Sequence, residues 1–394
     1  MAKKKATPDK VPYFKGRSLR DIVGASKYFI DSGNFATNWI CSGKFLGGGI
    51  PGGKIVEIFG PPSSAKSLWG YTLLGSVQKM GGYGVLIDCE RAANPDFVER
   101  AGHCNVEELG YPEEMPVTLE DVGQYVIATT KGIREENPDC PILYVWDSIG
   151  VNPCNREWRE IDLPEKFTEA QFKEIVKSKE KPGERARASG DVLRKLNPFL
   201  SENNATLFII NQTRQKIGAM SWESDEITAG GGQALPFYAG LRLRTYASKA
   251  IEDKKLQIPV GVNLMVQNKK NRSHTPFLKT KGIQLYFAKG INPLGGLLSV
   301  LINSGRVEAR SAGNYQVLEP WAGGAEIKFK GSLERNDVPL DMLLKCPSLM
   351  DAASADEITN YLGVFSEAIE LSGSKDTEEV DVKDQNDDML SMEE

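Results

Sequence analysis

A glycine-rich turn set between a strand pattern and a helix pattern restricts the fold of this chain more than any other feature. Residues 54–60 are rich in β-branched side chains and predict a buried strand, and residues 67–80 show the apolar spacing of a helix. A loop between two such elements presents backbone N–H groups to phosphate oxygens, and its lysine reaches the β- and γ-phosphates. The sequence therefore predicts a nucleotide-binding loop formed by Gly60, Pro61, Pro62, Ser63, Ser64, Ala65, Lys66 and Ser67.

One residue of this loop departs from the usual pattern, which has glycine where Ala65 stands. An alanine Cβ crowds a loop wherever the backbone needs a left-handed conformation. The departure leaves open how well the protein turns nucleotide over.

Two acidic residues stand at the ends of predicted strands downstream of the loop. Asp147 ends the apolar run 142–147, and Glu90 follows the strand pattern 83–88. At the carboxyl edge of a sheet, Asp147 can hold Mg²⁺ together with Ser67. Glu90 can accept a proton from the water that attacks the γ-phosphate. Either acid alone is commonplace, so both assignments depend on the loop.

Strand patterns alternate with helix patterns, among them 119–135 and 185–200, from residue 54 to residue 212. This alternation predicts an α/β fold with a mostly parallel central sheet. Beyond residue 235 the strand patterns 241–246, 260–266 and 283–287 follow each other closely, so we expect antiparallel strands at one edge of the sheet. A capping-box pattern at Ser18–Asp21 predicts a short helix that packs on its own core or on a neighbouring subunit. We divide the chain into an N-terminal flexible or oligomerisation segment (1–35), a core (36–290), a small α+β C-terminal lobe (291–372) and a disordered acidic tail (373–394).

The net charge of −5 is unevenly distributed along the chain. Residues 375–394 carry nine acids and two lysines, a net −7 that leaves the rest of the chain at +2. A terminal acidic block without aromatic residues is typical of a disordered tail. Such a tail either aids solubility or mimics DNA and competes for basic surfaces of the same protein.

Cysteine usage and the lack of long apolar runs indicate the compartment. The six cysteines are scattered without a CxxC pair, which favours reduced thiols in a reducing compartment. The start MAKKKATPDK has no apolar run after its positive cluster, and no stretch approaches the ~20 apolar residues that span a bilayer. We expect a cytoplasmic protein with no membrane partner.

A long segment follows the predicted strand 205–212 and runs from Thr213 to about Gly232. Connections of this length in a compact domain are usually functional. Cations in the segment can neutralise phosphates, while its flat and apolar side chains can insert between unstacked bases. A disordered surface loop is the alternative. The sequence thus predicts a DNA-binding loop with Arg214, Lys216, Ile217, Gly218, Met220 and Trp222.

A second basic stretch lies between Trp158 and Lys195. It includes Arg185 and Arg187, which we assign to DNA contact. A solvated basic helix fits the same pattern equally well.

Four stretches follow one another along the chain: Val-Glu-Ile-Phe-Gly-Pro-Pro-Ser-Ser-Ala-Lys-Ser, Ile-Asp-Cys-Glu-Arg-Ala, Asn211-Gln212-Thr-Arg-Gln-Lys-Ile-Gly-Ala-Met and Gly231-Gly-Gln-Ala-Leu-Pro-Phe-Tyr. In this order they resemble the bacterial RecA family, and recognisable matches cover roughly residues 40–320. The last two stretches separate the chain from hexameric helicases and circadian-clock ATPases that share the core. Ala65 and the acidic tail also resemble phage-encoded relatives of the UvsX type.

The resemblance implies roles for further residues. Phe97 stands where the family has an aromatic ring that stacks on adenine. Gln212 stands where the family has a residue that senses the γ-phosphate and transmits the nucleotide state to the following loop. The family presents two lysines to a neighbouring subunit's ATP; Gln267 replaces one, Lys269 fits the other, and Lys270 is a candidate substitute. The catalytic residues are then Lys66, Glu90, Gln212, Lys269 and Lys270.

The resemblance further implies an ATP- and Mg²⁺-dependent recombinase with a RecA-like core. Such a protein polymerises as a helical filament on single-stranded DNA, samples homologous duplex and exchanges strands, with single-strand-binding and loader proteins as further partners. The alternatives are a helicase motor on the same core, a filament protein that binds nucleotide without turnover, and a small-molecule kinase. The kinase lacks a visible acceptor site or lid.

Overall fold

The computed structural model describes residues 26–159, 183–215, 226–228, 232–332, 338–366, 369 and 377–381. Within these residues the strands are β1 Phe29–Ile30, β2 Ile50–Pro51, β3 Ile55–Gly60, β4 Tyr83–Asp88, β5 Ile142–Asp147, β6 Ala205–Gln215, β7 Glu226–Thr228, β8 Leu241–Asp253, β9 Ile258–Asn271, β10 Lys279–Tyr286, β11 Gly290–Ile291, β12 Val307–Ser311, β13 Asn314–Val317, β14 Lys328–Lys330 and β15 Thr377–Asp381. The α-helices are α1 Phe35–Ser42, α2 Lys66–Lys79, α3 Pro95–Gly102, α4 Leu119–Glu136, α5 Asn155–Arg159, α6 Glu184–Glu202, α7 Ala234–Tyr238, α8 Leu297–Asn303, α9 Leu340–Lys345 and α10 Ala355–Gly363.

The central sheet has the strand order β11-β10-β9-β8-β3-β6-β5-β4. Strands β8, β3, β6, β5 and β4 run parallel to one another. Strands β9, β10 and β11 continue the sheet in antiparallel pairing on the β8 side. The expected α/β fold and its antiparallel edge are therefore confirmed.

The strands that lead to the nucleotide loop are buried because helices cover both faces of the sheet. Every residue of β3 and β5 is buried, which explains their apolar and β-branched sequences. One apolar cluster lies on the α2 face of the sheet, and a second one packs α4 and α6 on the opposite face. The first cluster includes Val300, Leu343 and Ile358, so residues that we assign to a C-terminal lobe share an apolar core with the α2 face of the sheet. No helix among the described residues is long and apolar enough to span a membrane.

Two parts of the chain differ from the sequence expectations. Phe29 and Ile30, which continue the apolar spacing of the predicted N-terminal helix, instead pair with Ile50 and Pro51 as strands β1 and β2. The capping-box residues 18–21 lie outside the described residues. Within the acidic tail, Thr377–Asp381 form β15 and pair antiparallel with residues 249–253 of β8, where backbone pairing gives a local order that composition does not reveal.

Candidate nucleotide and DNA site

The nucleotide loop forms a tight main-chain turn between β3 and α2. A Cβ at Gly60 would lie 2.0 Å from the carbonyl oxygen of Thr245 on β8, so only glycine permits this approach. Thr245 Oγ1 donates to the Ser64 carbonyl (3.2 Å), and Ser64 Oγ donates to the Pro61 carbonyl (2.8 Å). Ala65 adopts the left-handed conformation (φ 61°, ψ 24°) just before α2 begins. The loop is thus braced by its own hydroxyl groups and by β8.

Lys66 is a buried cation at the start of α2, with 7% of its surface exposed. Its Nζ donates to the Pro61 carbonyl (2.6 Å) and to Ser64 Oγ (3.4 Å), both neutral oxygens. Burial lowers the pKa of Lys66 to about 8, against the opposing influence of Asp147 and Glu90. A buried ammonium held by neutral oxygens is suited to an anionic ligand such as a phosphate.

Ser67 and Asp147 lie together at the carboxyl edge of the sheet, where Ser67 Oγ donates to Asp147 Oδ2 over 2.6 Å. Burial raises the pKa of Asp147 to about 6, the Ser67 bond opposes this, and the Glu90 charge adds to it. A hydroxyl and a carboxylate are the oxygen ligands that Mg²⁺ accepts beside phosphates. Among the described residues no three acidic, histidine or cysteine side chains group around a metal site.

The Glu90 carboxylate lies between the ends of β5 and β6. The N–H groups of Cys89 and Glu90 donate to the Asp147 carbonyl (2.7 and 3.3 Å), which fixes the turn after β4. Glu90 Oε1 accepts from Ser148 Oγ (2.5 Å) and from Gln212 Nε2 (3.4 Å). The structure therefore brings Glu90 and Gln212 together. It adds Ser148, whose only sequence signal is its position directly after Asp147.

Phe97 lies on the first turn of α3, where Asn94 Oδ1 accepts from the Phe97 N–H over 3.0 Å. Its half-buried ring packs edge-to-face on Tyr71 of α2 at 6.4 Å between centroids. Tyr71 is one helical turn beyond Ser67, so Phe97 stands beside the helix that the nucleotide loop begins.

The structure describes only some of the residues that we assign to DNA binding. Lys216, Ile217, Gly218, Met220 and Trp222 lie outside the described residues. The backbone of Arg214 pairs with Ile227 in the β6–β7 ladder, which closes the base of that loop. Arg187 is exposed on α6, whereas Arg185 Nη2 donates to the carbonyls of Ile149 (3.2 Å) and Gly150 (2.5 Å).

Lys269 and Lys270 lie on β9, two strands away from β3. Lys270 Nζ donates to the carbonyls of Pro236 (2.7 Å) and Phe237 (2.8 Å), and Arg272 Nη2 also reaches the Phe237 carbonyl (3.1 Å). Burial lowers the pKa of Lys270 to about 8, assisted by Arg272 and Arg242. Lys270 thus caps the carbonyl end of α7 within its own subunit.

A buried polar group next to Gln212 was missed by the sequence reasoning. Glu57 of β3 is 0% exposed, pairs with Arg242 Nε and accepts from Asn211 Nδ2 (2.9 Å). Asn211 immediately precedes Gln212 on β6, so this network fixes the strand that carries the predicted γ-phosphate sensor. The available signal was a glutamate in an otherwise apolar strand pattern.

A mostly parallel α/β sheet with a lysine-bearing loop, a serine and a strand-end aspartate defines a P-loop nucleotide-binding protein. The family described as the RecA N-terminal domain matches residues 27–126 and 170–292. The chain belongs to the RecA family of recombinases.

Several curated relatives named Protein RecA are similar to the chain over most of its length. The one from Chloroflexus aggregans is 30% identical over 327 residues, 81% of this chain and 84% of that protein. The one from Roseiflexus castenholzii is 28% identical over 364 residues, 90% of this chain and 94% of that protein. The one from Thermus aquaticus is 30% identical over 261 residues, 66% of this chain and 68% of that protein.

Proposed function

We propose that the protein polymerises on single-stranded DNA in an ATP-dependent manner and promotes homologous pairing and strand exchange. The observation that carries this proposal is the hydrogen bond from Gln212 to Glu90, at the start of the segment assigned to DNA. An amide in this position can bond either a γ-phosphate or its own subunit. It can therefore give the following segment two states that depend on the nucleotide.

The nucleotide chemistry assigns one task to each residue of the site. Lys66 binds the β- and γ-phosphates, and Phe97 provides an aromatic surface for the adenine. Glu90, oriented by Ser148, accepts the proton of the attacking water. Mg²⁺, held by Ser67 and Asp147 together with the phosphates, would neutralise charge that develops during phosphoryl transfer.

DNA binding is assigned to Arg187 and to the segment that begins at Arg214. Cations bind the DNA backbone, and apolar side chains stack on base faces. Neither contact reads base edges, so binding is independent of DNA sequence. Affinity should then fall steeply as salt concentration rises.

The proposed assembly is a helical filament in which ATP lies between subunits, with Lys269 of one subunit directed to the nucleotide of the next. Lys270 is the alternative cation for this role. Single-strand-binding and loader proteins would act on the filament. A charge supplied in trans can be worth about 10³-fold in rate in other nucleotide hydrolases.

Strand exchange between homologous DNAs tests the proposal directly. The wild-type protein with ATP should exchange strands, and Lys66→Ala should not, because the phosphates lose their cation. Binding of a fluorescent single strand should be tighter with a non-hydrolysable ATP analogue than with ADP or without nucleotide. Equal affinity in all three states would reject the nucleotide switch, and directional unwinding without exchange would indicate a helicase motor.

A further inference from the structure

Arg185 faces inward from the first turn of α6, unlike the exposed Arg187 two residues later. Its guanidinium donates to the carbonyls of Ile149 and Gly150, as described above. Because both acceptors are main-chain oxygens, the contact fixes the backbone of the turn that follows β5.

That turn carries the side chain that orients the catalytic carboxylate. Ser148 and Ile149 are almost fully buried, and Ser148 Oγ donates to Glu90 Oε1. The Ile149 N–H donates to the Ile210 carbonyl (3.3 Å), and the Val151 N–H donates to the Ser148 carbonyl (3.1 Å). Arg185 therefore holds the carbonyls of the two residues immediately after Ser148. A displacement of its guanidinium would displace this turn, and with it the Ser148 hydroxyl that bonds Glu90.

A second contact at the start of α6 is the ion pair between Arg156 of α5 and Glu184. Glu184 and Arg185 are consecutive, so the first turn of α6 is linked to both α5 and the catalytic turn. The exposed Arg187 lies on the same part of the helix and is free to meet solvent or a phosphate.

We propose that Arg185 is a positioning residue for ATP hydrolysis rather than a DNA ligand. It holds the turn 148–150 so that Ser148 aims the Glu90 carboxylate, and it links the start of α6 to that carboxylate. DNA contact at Arg187 can then alter hydrolysis through Arg185. This last step rests on the proposed function, whereas the positioning of Glu90 does not.

The test compares Arg185→Gln with Arg185→Lys, Arg187→Gln and Arg194→Gln. Arg194 is an exposed residue of the same helix, bonded to Asp191, and serves as the matched control. The measurements are kcat and KM for ATP with and without single-stranded DNA, and the half-saturating DNA concentration at several salt concentrations.

For Arg185→Gln we expect kcat to fall about tenfold or more, because a misaligned base loses most of its advantage. The KM for ATP and the half-saturating DNA concentration should change less than about twofold, since in this proposal Arg185 binds main-chain carbonyls and neither ligand. Arg185→Lys should recover part of kcat because it keeps one charged donor. Arg187→Gln should instead raise the half-saturating DNA concentration and reduce the salt slope by about 0.7, the value for one phosphate on a single strand.

A readout without ATP or DNA separates this inference from the proposed function. Hydrogen exchange at the Val151 amide should be faster in Arg185→Gln than in wild type, and unchanged in Arg194→Gln. The positioning role is overturned if Arg185→Gln leaves kcat and this exchange unchanged, or if it weakens DNA binding as Arg187→Gln does. Failure of single-stranded DNA to stimulate wild-type hydrolysis would instead count against the proposed function, and the exchange result would still decide the role of Arg185.

Discussion

Ala65 occupies a backbone conformation that ordinarily favours glycine. Its φ of 61° places the Cβ against the following carbonyl, at a cost of about 1–2 kcal/mol. Glycine would remove this cost but would gain about 0.4–1 kcal/mol of chain entropy in the unfolded state. We therefore expect Ala65→Gly to raise the free energy of unfolding by about 0.5–1 kcal/mol, measured by urea denaturation.

The control for this substitution is Ala128→Gly, at an exposed position within α4. There the helix is regular, and glycine should lower the free energy of unfolding by about 1 kcal/mol. Equal losses of stability in both variants would mean that Ala65 is not strained.

Lys270 gives the stability a pH dependence whose sign can be worked out. Its folded pKa is lowered to about 8 by burial and by Arg272 and Arg242, while the unfolded value is about 10.4. Between these values the unfolded chain binds more protons, so this residue makes stability rise with pH from about 8 to 10.4. The free energy of unfolding of wild type minus that of Lys270→Met should therefore be larger at pH 9.5 than at pH 7. A difference that stays constant with pH would contradict the lowered pKa.

At the level of single residues, the sequence predicts side chains better than it predicts their partners. Lys66, Asp147 and Glu90 follow from a loop and two strand ends, because parallel strands bring their carboxyl ends to one edge. The role of Gln212 is implied by the family resemblance. The acceptors of Arg185 are main-chain carbonyls of a distant segment, which leave no side-chain signal. A basic residue near a proposed DNA loop has the same sequence signature whether it binds phosphate or backbone.

Among the elements, those with a clear apolar pattern were predicted almost to the residue, and the outer part of β8 was not. Strands β4 and β5 and helix α4 match their sequence patterns, and the Thr118–Asp121 capping box defines the start of α4. Strand β8 extends to Asp253, well past the predicted end at 246. Its outer half leaves the apolar core and is held by pairing with β9 and β15, so hydrophobic periodicity does not report it.

The pairing of β15 with β8 can be tested one N–H group at a time. Successive residues of a strand point their N–H groups to opposite edges, so only one of Glu379 and Val380 donates toward β8. One of Glu379→Pro and Val380→Pro should therefore speed hydrogen exchange in residues 249–253, and the other should not. Glu379→Gln keeps the N–H, removes a charge and should leave exchange unchanged. If neither proline variant has an effect, β15 does not pair with β8 in solution.

For the molecule as a whole, the surface around the end of β9 has the composition of an interface. Phe237 is 64% exposed and Phe277 is 70% exposed, and the carbonyl of Phe237 accepts from Lys270 and Arg272. Exposed aromatic rings beside cations are typical of buried contacts between subunits. In the sheet, Lys270 of β9 lies opposite Arg242 of β8, and Arg242 lies opposite Glu57 of β3. Glu57 is three residues before Gly60, where the chain's own nucleotide loop begins. Lys269 precedes Lys270 on the same strand, and it is the cation that we propose for a neighbour's nucleotide.

Mixed filaments test that arrangement. Lys66→Ala removes the lysine of a subunit's own nucleotide loop but keeps Lys269. Lys269→Ala keeps that loop and removes the cation that we propose for the neighbour's nucleotide. In an equal mixture of a head-to-tail polymer, about a quarter of the interfaces combine an intact site with an intact lysine. Hydrolysis should therefore recover to about a quarter of the wild-type rate per subunit, although each variant alone is nearly inactive. A mixture of Lys66→Ala with Glu90→Ala should stay inactive, because each variant has a defective nucleotide site of its own, which an intact Lys269 on the neighbour cannot repair. If Lys269 instead acted within its own subunit, the mixture of Lys66→Ala with Lys269→Ala would stay inactive as well.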